Sequence, residues 1–334
     1  MRSKLSPRLA AGLFLSIFGA GACDRSASRA NGAEEAKALT SQEAPAVTQT
    51  ELAPQAVGQA QPAPSAKGTN PVPTVSVGKI TPVAKPSAKA GGYTPTVGQA
   101  GKDVVWVPTP QPLVDRMLDM ADLTRNDIHF DLGSGDGRTV ITAAKRGARS
   151  TGVEYNPDMV ALSRRLAQQE GVGGSARFIE GDIFKTDFSN ATVVTLFLLS
   201  DLNLRLRPTL LDMKPGTRVV SNTFNMGDWK PDETQTVNET AGCSAYCTAH
   251  LWIVPAKVAG RWTLPEGELV LTQTFQQVAG TLGATRAEGT LRGNEIIFVA
   301  GNARYTGQVN GNTLTGRVTN GSSTKSFTAT RAGS

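Results

Sequence analysis

Apolar and polar positions alternate along this chain in two distinct textures, preceded by a long stretch from Asp24 to about Ala100 with no sustained apolar period. From Val104 the pattern switches repeatedly between helical and extended. VVWVPTPQPLVDRMLDMADL runs from a Pro-punctuated extended piece into a helix whose Leu113, Met117, Met120 and Ala121 share one face. IHFDLG then predicts a strand, RTVITAAKRG a helix, STGVEY a strand, PDMVALSRRLAQQEG a helix, ARFIEGDIF a strand and ATVVTLFLL a buried strand. A Leu/Arg-rich helix around LNLRLRPTLLDM and a strand TRVVSNTF follow. Such alternation predicts an α/β fold: a Rossmann-like, doubly wound, mostly parallel sheet covered by helices on both faces. From about Val258 the runs become short and alternating. GTLRGNEIIF and GQVNGNTLTG place Gly293-Asn294 and Gly311-Asn312 18 residues apart, as turns of consecutive hairpins, and LTQTFQQVAGTL and KSFTATR continue the pattern. The expectation is a small antiparallel β domain, an open sheet or half-barrel of about five or six strands.

These textures divide the chain into four parts. Residues 1–23 read as an export signal, with basic Arg2, Lys4 and Arg8, an apolar stretch over 9–18 too short for a stable span, and small residues before Cys23. The end of this segment resembles a bacterial lipobox, although Ala20 stands where Leu is usual; Cys23 is the expected lipid anchor, giving a membrane-attached lipoprotein on the periplasmic side of a bacterial envelope. A plain cleaved secretory signal is the alternative. Residues 24–100 are rich in Ala, Pro, Ser, Gln and Gly and read as a disordered tether. The α/β domain is assigned to 101–255 and the β domain to 256–334.

The 334 residues, 39% hydrophobic and 19% charged, allow a sizeable core. A formal charge of +6 suggests a nucleic-acid binder until it is divided: residues 1–100 hold 10 Lys/Arg against 5 Asp/Glu, and 101–334 hold 24 against 23. The foldable part lacks a basic footprint, so no nucleic-acid partner is expected. With Cys23 set aside, Cys243 and Cys247 remain, a pair suited to a local disulfide in an oxidising compartment or to two free thiols. A metal site from Cys243, Cys247 and His250 is the weaker reading, because no clear fourth ligand exists; no metal is expected.

The segment HFDLGSGDGRTV concentrates the chemistry. It places Asp131 at the end of an apolar strand, then Gly133, Ser134, Gly135 and Gly137 in a tight loop, then a helix whose first N–H groups are unpaired. Alone, such a turn is a weak signal. Glu154 ends the next strand, 23 residues after Asp131, where a carboxylate can accept ribose hydroxyls, and Asp182 follows the third strand in IEGDIF. Each carboxylate by itself suits a solvated turn or a helix cap; three at successive strand ends point to a ligand beyond the strand C-termini.

These residues resemble the successive motifs of class I, seven-β-strand methyltransferases that use S-adenosylmethionine (SAM), over roughly residues 104–255. The resemblance implies SAM as cofactor, with Asp131 and the glycine loop at its methionine moiety, Glu154 on the ribose, and Asp182 with Ile183 beside the adenine. A nicotinamide site fits less well, because Arg138 and Thr139 stand where a third glycine is needed. VPTP, DLGSGDGR and FLLSDLNLRLRP further resemble a branch that includes protein-lysine methyltransferases, implying a protein or small-molecule methyl acceptor. The segment VTLFLLSD lacks the Asn/Asp-Pro-Pro-aromatic motif of enzymes acting on DNA bases.

Candidates for the acceptor side are Ser200, Asp201 and Asn203 after the fourth strand, Trp106 and Thr109 in the N-terminal flap, and Phe224, Asn225 and Trp229. Core packing for the aromatics and capping for the polar residues are the plainer readings of each. A non-catalytic exported scaffold that acts through its β domain is the alternative to an enzyme, prompted by a conflict: SAM is made in the cytoplasm, while the signal sends this chain outside. The acceptor, the oligomeric state and the contact between domains are not legible.

Overall fold

The computed structural model describes residues 92–332. The signal at 1–23, with Cys23, and nearly all of the tether at 24–100 lie outside the described residues. Helix α1 (Gln111–Met120) is followed by β1 (Ile128–Leu132), α2 (Arg138–Lys145), β2 (Arg149–Glu154), α3 (Pro157–Gln169), β3 (Ala176–Glu180), β4 (Val193–Leu196), α4 (Ser200–Leu211), β5 (Arg218–Asn222), β6 (Glu233–Thr236) and β7 (Thr248–Ile253). They form one seven-stranded sheet in the order β3-β2-β1-β4-β5-β7-β6. Only β7 runs antiparallel to its neighbours β5 and β6. The strand order reverses between β1 and β4, which creates a crevice beyond their C-terminal ends.

Alternation along β1 assigns its two faces. Phe130 and Leu132 lie opposite Val194 and Leu196 of β4 and enter a core shared with Leu202, Leu206 and Leu210 of α4 and with Trp229 and Trp252. His129 and Asp131 point the other way, beside Val193 and Thr195, on the face where Leu113 and Met117 of α1 pack. Helix α3 opens on a cap and a proline: the Asn156 side chain accepts from the N–H of Asp158 at 2.9 Å, and Pro157 occupies the first turn.

Strands β8 (Gly260–Leu264), β9 (Gly267–Thr274), β10 (Gln277–Leu282), β11 (Thr285–Arg292), β12 (Glu295–Ala300), β13 (Ala303–Asn310), β14 (Thr313–Asn320) and β15 (Ser323–Arg331) form an up-and-down antiparallel barrel, closed where β15 pairs with β8. The antiparallel domain is as expected, but it has more strands than the half-barrel read from the sequence, and it closes. The expected turns Gly293-Asn294 and Gly311-Asn312 are present, and equivalent two-residue turns start at Gly283, Gly301 and Gly321, each with its first residue at positive φ. Closure rests on a pairing between the first and last strands that no local pattern announces. The interior is filled: Phe298 and Tyr305 stack with ring centroids 4.5 Å apart, and Phe327 meets Tyr305 edge-on at 5.3 Å. Gly316 makes room beside them, since a Cβ there would lie 2.0 Å from the Thr306 carbonyl oxygen.

The barrel and the α/β domain touch through the β9–β10 turn. Phe275, at φ 53°, stacks on Trp229 with centroids 6.1 Å apart and packs against the main α/β core. The Gln276 side chain donates to the Lys230 carbonyl at 2.8 Å, and Gln273 donates to the Ala256 carbonyl at 2.9 Å. Gln276 thus ties the turn to the α/β domain, and Gln273 ties β9 to the segment that links the two domains.

Candidate active site

At the carboxyl ends of β1, β2, β3 and β4 lies a cleft lined by Asp131, Gly133, Ser134, Gly135, Glu154, Asp182 and Ile183, and covered by residues 99–109. Seven of the eight residues that the sequence assigned to a cofactor therefore share one space. Gly137 does not line it. A Cβ there would lie 2.7 Å from the Phe178 ring and 2.8 Å from Ser163, so this glycine serves the packing of α2 on the sheet. Gly135, at φ +53°, is a cradle position: an added Cβ would lie 2.5 Å from Nε1 of Trp106, whose indole rests on the loop.

Asp131 is 6% exposed and sits in a polar chain crossing three strands. Thr195 Oγ1 donates to Asp131 Oδ1 at 2.6 Å, which commits the hydroxyl proton, so the same oxygen accepts from His129 Nε2 at 2.9 Å. His129 Nδ1 is then left to accept from Ser150 Oγ at 2.6 Å. The wholly buried imidazole suits this neutral role, because desolvation pushes its pKa down to about 3. Desolvation also pushes Asp131 up to about 7; Thr195 opposes that rise, while Asp136 and Glu154 add to it.

Both oxygens of Glu154 hold backbone: Oε2 accepts from the Gly135 N–H and Oε1 from the Asn156 N–H, each at 2.9 Å. One carboxylate thus ties the glycine loop to the start of α3. Asp182 Oδ1 accepts from the Phe184 N–H, and Oδ2 accepts from Lys102 at 2.9 Å. The hydrogen bond from Lys102, with that from Phe184, holds the Asp182 carboxyl below the usual carboxylate range. Lys102 belongs to a short hairpin closed by the Trp106 N–H donating to Gln99 O, and its ammonium lies 5.2 Å above the Tyr155 ring. Arg138 anchors the other end of this flap, donating to Thr109 O at 3.0 Å while it pairs with Asp136.

The acceptor-side candidates fare differently. Trp106 and Thr109 line the cleft; Ser200, Asp201 and Asn203 do not. Asn203 is wholly buried, and its amide donates to Ser221 Oγ at 3.2 Å and to Phe224 O at 3.1 Å, which makes it a brace for the loop after β5 rather than a group facing an acceptor. Ser200 and Asp201 are the first residues of α4, whose cap position is Leu199 with no side-chain hydrogen bond, so neither residue caps the helix. Trp229 is wholly buried between Trp252 and Phe275, as core packing required. Cys243 and Cys247 are joined in a disulfide, so neither is a metal ligand. Sequence reasoning passed over His129, Thr195 and Lys102. A polar residue inside each of the apolar runs IHFDL and VVTL was the available signal for the first two.

The ANTKMT methyltransferase domain model matches residues 131–233. A protein-lysine N-methyltransferase of Saccharolobus islandicus (strain REY15A) is 44% identical over 139 residues, covering 41% of this chain and 86% of the relative. The adenine nucleotide translocase lysine N-methyltransferase of Mus musculus is 36% identical over 103 residues, 30% of this chain and 45% of the mouse protein. A solved RNA methyltransferase from Salinibacter ruber, in complex with S-adenosyl-L-homocysteine (SAH), is 47% identical over 46% of this chain and 96% of that one, with a TM-score of 0.42. With a relative of 44% identity matched along most of its length, and the expected motifs gathered in one cleft, the chain belongs to the class I SAM-dependent methyltransferases, near their protein-lysine N-methyltransferases.

Proposed function

We propose that this methyltransferase acts on a lysine side chain of a protein. The observation that carries the reading is the 44% identity to a protein-lysine N-methyltransferase across 86% of that relative. SAM supplies a methyl group already activated on a sulfonium, so the protein's part is positioning and exclusion of water. The cleft residues suit such a ligand. The glycine loop leaves room where side chains would collide. Glu154 spends one acceptor position on each oxygen, and a carboxylate offers about four, which leaves capacity for two ribose hydroxyls. Asp131 with Gly133, Ser134 and Gly135 would hold the methionine end, and Asp182 with Ile183 the adenine. Gly137 holds α2 in place behind them.

The chain is further proposed to work outside the cytoplasm, anchored by lipid at Cys23. The signal-like pattern of residues 1–23 supports this, and so does the Cys243–Cys247 disulfide, a bond that persists in oxidising compartments. Among the described residues no helix is long and apolar enough to cross a membrane. The test is transfer of labelled methyl from SAM to envelope proteins, followed by amino-acid analysis. Methyl-lysine as the labelled product is expected. Label in added RNA and none in protein would contradict the acceptor reading.

A further inference from the structure

Phe197, just beyond β4, is where the cleft meets a second group of side chains. Its ring stacks on Phe224 with centroids 6.2 Å apart and meets Tyr246 edge-on at 5.4 Å. Three separate segments deliver these rings: the end of β4, the loop after β5, and the connection between β6 and β7. Core burial does not account for the arrangement, since Tyr246 is 45% exposed and the two phenylalanines are only half-buried.

The backbone is strained to make it. Thr223 at φ 61° and Tyr246 at φ 55° both occupy the left-handed region, which disfavours side-chain-bearing residues and β-branched ones above all. Two ties hold them there. The Thr223 N–H donates to the Thr248 carbonyl at 2.7 Å, and the Cys243–Cys247 disulfide closes a short loop around Tyr246. Aromatic faces attract ammonium groups, most effectively where the cation sheds water.

We propose that Phe197, Phe224 and Tyr246 form the acceptor subsite, receiving the ammonium or methylammonium head of a lysine side chain, with the disulfide fixing Tyr246 in place. The proposal rests on the methyltransferase reading above, because Phe197 joins these rings to the cofactor cleft. Methylation keeps the charge and adds apolar surface, so the subsite should favour methylated ammonium over neutral groups of equal shape.

The test uses the full chain with its disulfide intact and SAH saturating, titrated with Nα-acetyl-trimethyllysine amide and with its neutral tert-butyl isostere. The cation is expected to bind about tenfold more tightly than the isostere, Tyr246→Ala to lose that preference, and Tyr246→Phe to keep it. The Cys243→Ser/Cys247→Ser variant should weaken the cation severalfold, with SAH affinity unchanged in every variant. Equal binding of the two probes, an unaffected Tyr246→Ala variant, or no binding of the cation at about 10 mM, above the roughly 1 μM to 1 mM span of enzyme KM values, would overturn the subsite. Failure of the unmodified protein to bind SAH would instead remove the cofactor reading beneath it.

Discussion

Thr195 Oγ1 donates to Asp131 Oδ1 across the β1–β4 pair, and the same hydroxyl accepts from His129 Nε2. One small side chain therefore satisfies two buried polar groups. Thr195→Val keeps the shape and removes the hydroxyl, leaving an acceptor and a donor unpaired. The expected loss is about 1–3 kcal/mol of stability in denaturant melts, with Thr195→Ser close to the original. A Thr195→Val protein as stable as its parent would contradict the directed chain.

Asp131 gives a pH dependence of definite sign. Its pKa is raised from 3.8 to about 7 by burial, so between those values the folded state binds more protons than the unfolded. Stability from this group therefore falls as pH rises through that window and is level above it. Asp127, held below the ordinary carboxylate range by Thr192, Thr124 and Arg218 against a desolvation that raises it, contributes in the opposite direction; the informative quantity is thus the difference between protein and variant. Asp131→Asn should gain stability relative to the parent as pH rises from about 4 to about 7. Melts at several pH values check this, and a pH-independent difference would refute it.

The barrel is held to the α/β domain by Phe275 on Trp229 and Gln276 on Lys230. Phe275 is half-buried, so Phe275→Ala should cost about 1–3 kcal/mol, less than the roughly 3–5 of a fully buried Phe→Ala. It should also split one cooperative thermal transition into two, seen by calorimetry. A single unshifted transition would mean that the turn does not couple the domains.

Lys102 reaches from the flap to Asp182, a residue assigned to the adenine. Lys102→Ala should leave the melting temperature unchanged and accelerate both association and dissociation of SAH in stopped-flow measurements, because the pair is solvent-accessible and screened. Unaltered rates would show that the flap does not gate the cleft.

Much of this architecture was legible because local periodicity and strand-end chemistry coincide. Apolar runs ending in Asp131, Glu154 and Asp182 marked three parallel strands and one end of the sheet together. Strands β6 and β7 were missed. The apolar run LWI of β7 went unread, while Glu233–Thr236 is short and polar and owes its place to pairing with β7 rather than to any local signal. Barrel closure escaped for the same reason. On the acceptor side, Asn203 was misplaced because a polar residue after a strand looks the same in sequence whether it faces a ligand or braces a loop.

The most direct test of the central claim is calorimetric titration of SAH into the protein and into its Glu154→Ala variant. Glu154 orders the glycine loop through Gly135 and, on the proposed reading, offers its remaining acceptor capacity to the ribose, so the parent should bind in the micromolar range, about −8 kcal/mol, and the variant should lose at least tenfold. Equal affinity in parent and variant, or no binding by a folded parent, would contradict the assignment of this cleft to SAM.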